Sequence, residues 1–168
     1  RSPIVSRVTD VPTDDAIDVA DLAKKSSVAW IRVGAQTFPV WHEWVESEVD
    51  GVSVGAICVV GSLQPDGSEQ PLPPLVEGDT AVVLLRSKAD RQLAAAVPVV
   101  ASIVQPGSDQ WEPVTSALKA GRLNAPHMPT MVERWARECV VFRLVPSGGP
   151  TPAADVAGAH PRTSPRLS

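Results

Sequence analysis

Apolar residues alternate with polar ones, or run unbroken, in six stretches of this chain that read as β-strands. The longest two are Ala81–Lys88 and Leu93–Pro106, joined by the polar segment Ala-Asp-Arg-Gln, and they predict a hairpin. In its second arm Val97, Val99, Ala101 and Ile103 face one way. Val100 and Val104 face the other, with Ser102 between them. A strand apolar on both faces belongs in the wall of a packed barrel, under a helix, or at a subunit interface. Three strands precede the hairpin. They are Val28–Val33, which ends at Gly34; a run from Phe38 through Val45; and Val52–Val60, entered from the turn pair Asp50-Gly51. In the middle one Phe38, Val40, His42 and Trp44 share one face, and Trp41, Glu43 and Val45 share the other. The sixth strand is Cys139–Val145.

Helical spacing appears in three places. Asp14–Lys25 carries acids in its first turn, Lys24 and Lys25 in its last and Thr13 as a cap, a charge order that complements the helix dipole. Asp109–Leu123 repeats Trp111, Val114, Leu118 and Gly121, with Pro113 tolerated in the first turn and Asn124-Ala125-Pro126 as the stop. Thr130–Arg137 presents Met131, Val132, Trp135 and Ala136 inward.

The organisation expected is an extended leader over 1–13, one domain over 14–146 and a disordered tail over 147–168, rich in Gly, Pro, Ala, Thr and Ser. Ser62–Asp79, with Pro65, Pro71, Pro73 and Pro74, reads as a long loop of the kind that often carries function. Six antiparallel strands with short crossings predict a mainly β fold with peripheral helices, a six-stranded antiparallel split β-barrel closed so that no edge is left exposed. A doubly wound parallel sheet needs helices between most strands, and those are missing.

Charge narrows the choice of partners. The net charge of −4 over 168 residues argues against nucleic acid and membrane surfaces. No apolar run approaches the roughly 20 residues that span a bilayer. With no signal-like opening segment, the expectation is a cytoplasmic protein. Cys58 and Cys139 sit in apolar runs and read as free thiols. His42, His127 and His160 lack metal-ligand spacing, and no phosphate-loop, dinucleotide-fingerprint, zinc-protease or nucleophile-elbow motif occurs, so neither a metal nor a catalytic residue is expected.

Three clusters remain as candidate chemistry. Arg86, Ser87 and Lys88, with Arg91 close behind, combine guanidinium, hydroxyl and ammonium at a strand end, a set suited to phosphate. The same residues also serve as a solvated hairpin end. Trp41, His42 and Trp44 offer flat rings for stacking and an imidazole for a ring edge, or else they fill core. Arg122, Asn124, Arg134 and Arg137 surround the junction of the helices with the last strand. There they hold an anion or tie helix ends to carbonyls and to Glu133 and Glu138.

The succession Val28–Val33, Phe38–Val45, Val52–Val60, Ala81–Lys88, Leu93–Pro106 and the Trp111 helix resembles the FMN-binding split-barrel superfamily. That group holds the pyridoxamine-phosphate-oxidase-like proteins and the deazaflavin (F420)-dependent reductases of actinobacteria, whose Ala- and Val-rich composition this chain shares. The resemblance covers about Val19 to Val145. It implies a homodimer with flavin-type pockets, FMN or F420 as cofactor, and oxidoreduction of a small molecule. Arg86, Ser87 and Lys88 would serve the phosphate, and Trp41, His42 and Trp44 would lie near the ring. Where the family places a Lys or Arg after the third strand, this chain has Glu69 and Gln70. Hydride transfer is the cofactor's own chemistry, so the lack of a catalytic dyad fits this class. The other reading is a non-catalytic split-barrel dimer, a binding or accessory module that uses Ser62–Asp79 as its contact surface.

Overall fold

The structure is a computed structural model that describes residues 18–64, 67, 69–86, 93–122 and 130–152. It is mainly antiparallel β-sheet with few helices, as the sequence predicts, but the strand count differs. Eight strands form one sheet: β1 Val28–Val33, β2 Gln36–Trp41, β3 Glu43–Val49, β4 Val52–Ser62, β5 Thr80–Arg86, β6 Leu93–Val104, β7 Cys139–Pro146 and β8 Thr151–Pro152. The two extra strands have separate origins. The expected run Phe38–Val45 breaks at His42 into β2 and β3. Within the stretch expected to be tail, Thr151 and Pro152 pair with Ala96 and Ala95 of β6.

The strand order is β2-β1-β5-β6-β7-β4-β3, with β8 alongside β6. The two end strands are therefore neighbours in sequence, separated only by His42. A flat sheet of seven strands would hold its edges close to 30 Å apart, at about 4.8 Å per strand. One linking residue spans less than 8 Å between flanking Cα atoms. The sheet must roll until its edges meet at His42. The expected closure is nevertheless incomplete, because no ladder joins β2 to β3 among the described residues and the cylinder stays split along that seam.

Rolling makes an inside and an outside. Ile31, Val40, Ile57, Val59, Val83, Leu85, Val97, Val99, Phe142 and Leu144 fill the interior. Helix α1 (Val19–Lys24) adds Ala23, with Val19 and Leu22 against the same cluster. The start of α1 is fixed by the Asp18 side chain, which accepts from the Asp21 N–H. Outside, α2 (Trp111–Ala120) and α3 (Met131–Glu138) lie over β3, β4 and β7. Val114, Leu118, Met131 and Trp135 bury Val45, Ala56, Cys58, Val60, Val104 and Val141 there. β6 thus presents apolar residues to both layers, as its sequence requires.

The β3–β4 turn confirms the Asp50-Gly51 signal, with both residues in the left-handed region at φ 54° and 82°. The expected helices begin later or end elsewhere by a few residues, and the first of them from 14 to 17, the Thr13 cap and the leader lie outside the described residues. Among those described, no helix is long and apolar enough to cross a membrane.

Candidate functional site

The seam at His42 gathers most of the unusual chemistry. If the β3–β4 register ran two residues further, Trp41 would stand opposite Val60, since Glu43 pairs with Cys58. The side-chain amide of Gln70 takes that place instead. Its Oε1 accepts from the Trp41 N–H at 2.7 Å, and its Nε2 donates to the carbonyls of Trp41 at 3.0 Å and Val60 at 3.1 Å. Gln70 is held in position by the returning chain. The N–H of Ser62 donates to the Gln70 carbonyl, and the Glu69 N–H donates to the Ser62 hydroxyl. The proline-rich stretch is therefore a strap folded back onto β4. At Gly61 the Leu72 backbone comes so close that an added Cβ would lie 2.8 Å from its Cα.

Glu69 points beneath this strap with its side chain 3 % exposed. It forms an ion pair with Arg122 and accepts from the Trp135 indole N–H at 2.9 Å. The Arg122 guanidinium in turn lies 5.2 Å from the Trp41 ring centroid. Trp41, Glu69, Gln70 and Arg122 line a cavity of about 150 Å³. Glu43 borders it, since a Cβ at Gly121 would run into both its carboxylate and the Trp41 ring. Partial burial pushes the Glu43 carboxyl above its ordinary range.

Arg86 reaches the same face from the other direction. Trp30 pairs with Leu84. The β1–β5 ladder ends at that pair; extended two residues, its register would bring Arg86 level with Val28, which faces Trp41 across β1–β2, while on its other side β5 shifts register against β6 between Leu85 and Arg86. On that extended register Trp41, Val28 and Arg86 fall on the outer face, with the backbone positions of Trp41 and Arg86 two strand spacings apart, about 10 Å. The Arg86 guanidinium stands 5.7 Å from the Trp30 ring centroid, and Val28 between the two tryptophans is 46 % exposed.

Of the residues expected at a ligand site, Trp41 and Arg86 thus share a face. Ser87, Lys88 and Arg91 lie outside the described residues, as does Asn124. His42 and Trp44 go elsewhere. Trp44 packs against the interior cluster over Gly55, and its indole N–H donates to Glu46 at 3.1 Å. His42 is 1 % exposed, and its Nε2 donates to the Ala23 carbonyl at 3.1 Å. Its Nδ1 is buried without a hydrogen-bond partner. Burial lowers the His42 pKa from its ordinary value of 6.5, the Ala23 contact pulling weakly the other way.

The sign of the His42 effect follows from linkage. With the folded pKa below the unfolded one, the unfolded chain binds the extra proton first. The neutral ring's contribution to stability is complete above pH 6.5 and is lost as pH falls below it. Urea midpoints should therefore drop between about pH 7.5 and about pH 5, and a His42→Gln variant should show a flatter profile over that window. Equal profiles would mean that the ring is not the titrating group. Glu43, whose raised pKa favours acid conditions, acts equally in both proteins.

Sequence reasoning treated Glu69 and Gln70 as a departure from a family pattern and missed their structural work. The available signal was the pair of long hydrogen-bonding side chains, Glu69 and Gln70, directly before Pro71. Cys58 and Cys139 are free thiols, and burial pushes Cys58 up to about 12. Among the described residues no group of three metal-ligating side chains assembles.

No family model and no curated protein matches the sequence. Among solved structures, the chain is similar to the heme storage protein HutZ from Vibrio cholerae, with 11 % identity, 80 % of this chain and 91 % of that one covered, and a TM-score of 0.49.

Proposed function

We propose that this chain is a ligand-binding split barrel that takes a planar, phosphate-bearing cofactor of the flavin or deazaflavin type, FMN or F420, on its outer face. The observation that carries the reading is the row Trp41–Val28–Arg86. On that register the backbone positions of an aromatic and a basic residue stand about 10 Å apart, a span suited to a ring and a phosphate joined by a five-carbon polyol. Arg86 grips the phosphate, assisted by Ser87 and Lys88. The ring stacks on the Trp41–Arg122 pair, where a guanidinium plane already covers the indole. Trp30 and Arg122 take the places that the sequence offered to His42 and Trp44. Glu69 neutralises Arg122 at the ring end. When bound, the cofactor supplies hydride chemistry for a small-molecule substrate, and the chain's residues bind and orient it.

The test is titration of the purified protein with FMN and with F420, followed by fluorescence, with hemin as a third planar anion. Arg86→Ala and Trp41→Ala should each weaken cofactor binding at least about tenfold, which corresponds to about 1.4 kcal/mol. Unchanged affinity in both variants would sink the assignment. A protein that runs as a homodimer in light scattering and takes up none of the three ligands is instead the non-catalytic accessory module.

A further inference from the structure

Arg143 stands in the centre of the sheet, on β7 between β4 and β6. It pairs across with Cys58 on one side and Ser102 on the other, and with Cys58 it faces the helix layer. The residue is 7 % exposed, yet its Nε and Nη2 are both buried without a hydrogen-bond partner. No carboxylate pairs with it among the described residues. The acid in the same cross-strand row is Glu43, beyond Cys58 and two strands away. A buried cation without a counter-charge is costly, and unpaired buried donors are rare enough that each calls for an explanation.

The unpaired atoms are a matched set. Nε–H and Nη2–H point in parallel from one edge of the guanidinium, the edge that grips a carboxylate or phosphate with two hydrogen bonds. Ser102, half-buried and next across the ladder, carries a hydroxyl with no hydrogen bond among the described residues. The cover over this row is uneven. On one side of this row Val141 and Val104 are covered by the helices, at 1 % and 4 % exposure. On the other side Val145 and Val100 are only half-buried, with Val145 still packed against the outer cluster, so the cover thins past Arg143. Near Arg143 the Cys58 thiol feels the positive charge, which works against its burial.

We propose that Arg143 and Ser102 form a binding site for a small oxyanion, a carboxylate or a phosphate, at the margin of the helix cover. This site is separate from the Trp41–Arg86 row. Ser102 lies nine residues along β6 from Leu93, the partner of Arg86, which is close to 30 Å of extended chain.

The test compares thermal midpoints of the full chain in phosphate, formate and chloride at matched ionic strength. It also follows the Arg143 Nε–H cross-peak by NMR. Phosphate stabilises proteins generally, so the variants supply the baseline. Wild type should gain a few degrees in phosphate or formate beyond what Arg143→Met and Arg143→Lys gain, and the Nε–H signal should move downfield. Arg143→Lys keeps the charge and loses the fork, and its half-saturating concentration should rise at least about tenfold. Ser102→Ala should weaken binding less. A larger response to phosphate marks a phosphate site, and one to formate a carboxylate site. Equal anion responses in wild type and Arg143→Lys, or a stationary Nε–H signal, would overturn the proposal. If Arg143→Met does not fold, the Arg143→Lys comparison decides alone.

Discussion

Trp135→Ala is expected to lower the stability of this protein by about 4 kcal/mol, seen as a fall in the urea midpoint at constant slope. Trp135 is fully buried at the centre of the outer cluster, against residues of β3, β4, β7 and α2. Its removal opens a cavity that rigid sheet walls cannot close. It also takes away the indole N–H donated to Glu69. Trp135→Phe keeps most of the apolar surface but loses the hydrogen bond to the Glu69 carboxylate and leaves a smaller void, at a cost of about 2 kcal/mol. A Trp135→Ala loss below about 1.5 kcal/mol would mean that α3 is not fixed onto the sheet as described.

Glu69→Ala is expected to cost about 3 kcal/mol. A single carboxylate there satisfies a guanidinium and an indole, so its deletion strands both partners. Because Arg122 keeps a quarter of its side chain exposed, water recovers part of its loss, and the penalty falls at the lower end of the range for buried pairs. Glu69→Gln retains an acceptor for Trp135 and should fall between wild type and Ala. The double variant Glu69→Ala with Trp135→Phe should lose less than the sum of its parts, by about the shared hydrogen bond. Strict additivity would show that the two groups do not communicate. Measured together with FMN affinity, the same series also reports whether Arg122 must be anchored to support a ring on Trp41.

Much of the fold was legible in the sequence because burial writes its period directly into strands. The inward set of β6 and the outward placement of Val104 follow from alternation alone, as does the pairing across Asp50-Gly51. The alternation also explains the main error. Across His42 the faces continue without a slip, with Val40 and Trp44 inside and Trp41 and Val45 outside. A bend that preserves the phase leaves no mark in a two-residue period, so one strand was expected where two occur. β8 was invisible for a different reason. Two residues carry no period, and their pairing depends on the length of β6 left uncovered beyond the end of β7.

The candidate site was legible only in part. Trp41 and Arg86 announced themselves by residue type, and register brings them together. The groups packed on them, Arg122 on Trp41 and Trp30 on Arg86, come from other segments; Arg122 stood among the candidate cations, but no local pattern pairs it with Trp41. Glu69 and Gln70 read as a mismatch for phosphate. Their partners, Trp135 and Arg122 for one and the Trp41 backbone for the other, are set by tertiary contact.

The place of β7 bears on how the chain is made. It is the last long strand among the described residues, yet it lies between β4 and β6 in the middle of the wall. Until the ribosome has released Cys139–Pro146, the nascent protein holds two half-walls with bare backbone along β4 and β6, the kind of edge that recruits stray strands. The decisive step of assembly therefore waits for β7, and chains stopped short of residue 139 should be collected by chaperones or proteases instead of accumulating as a smaller barrel.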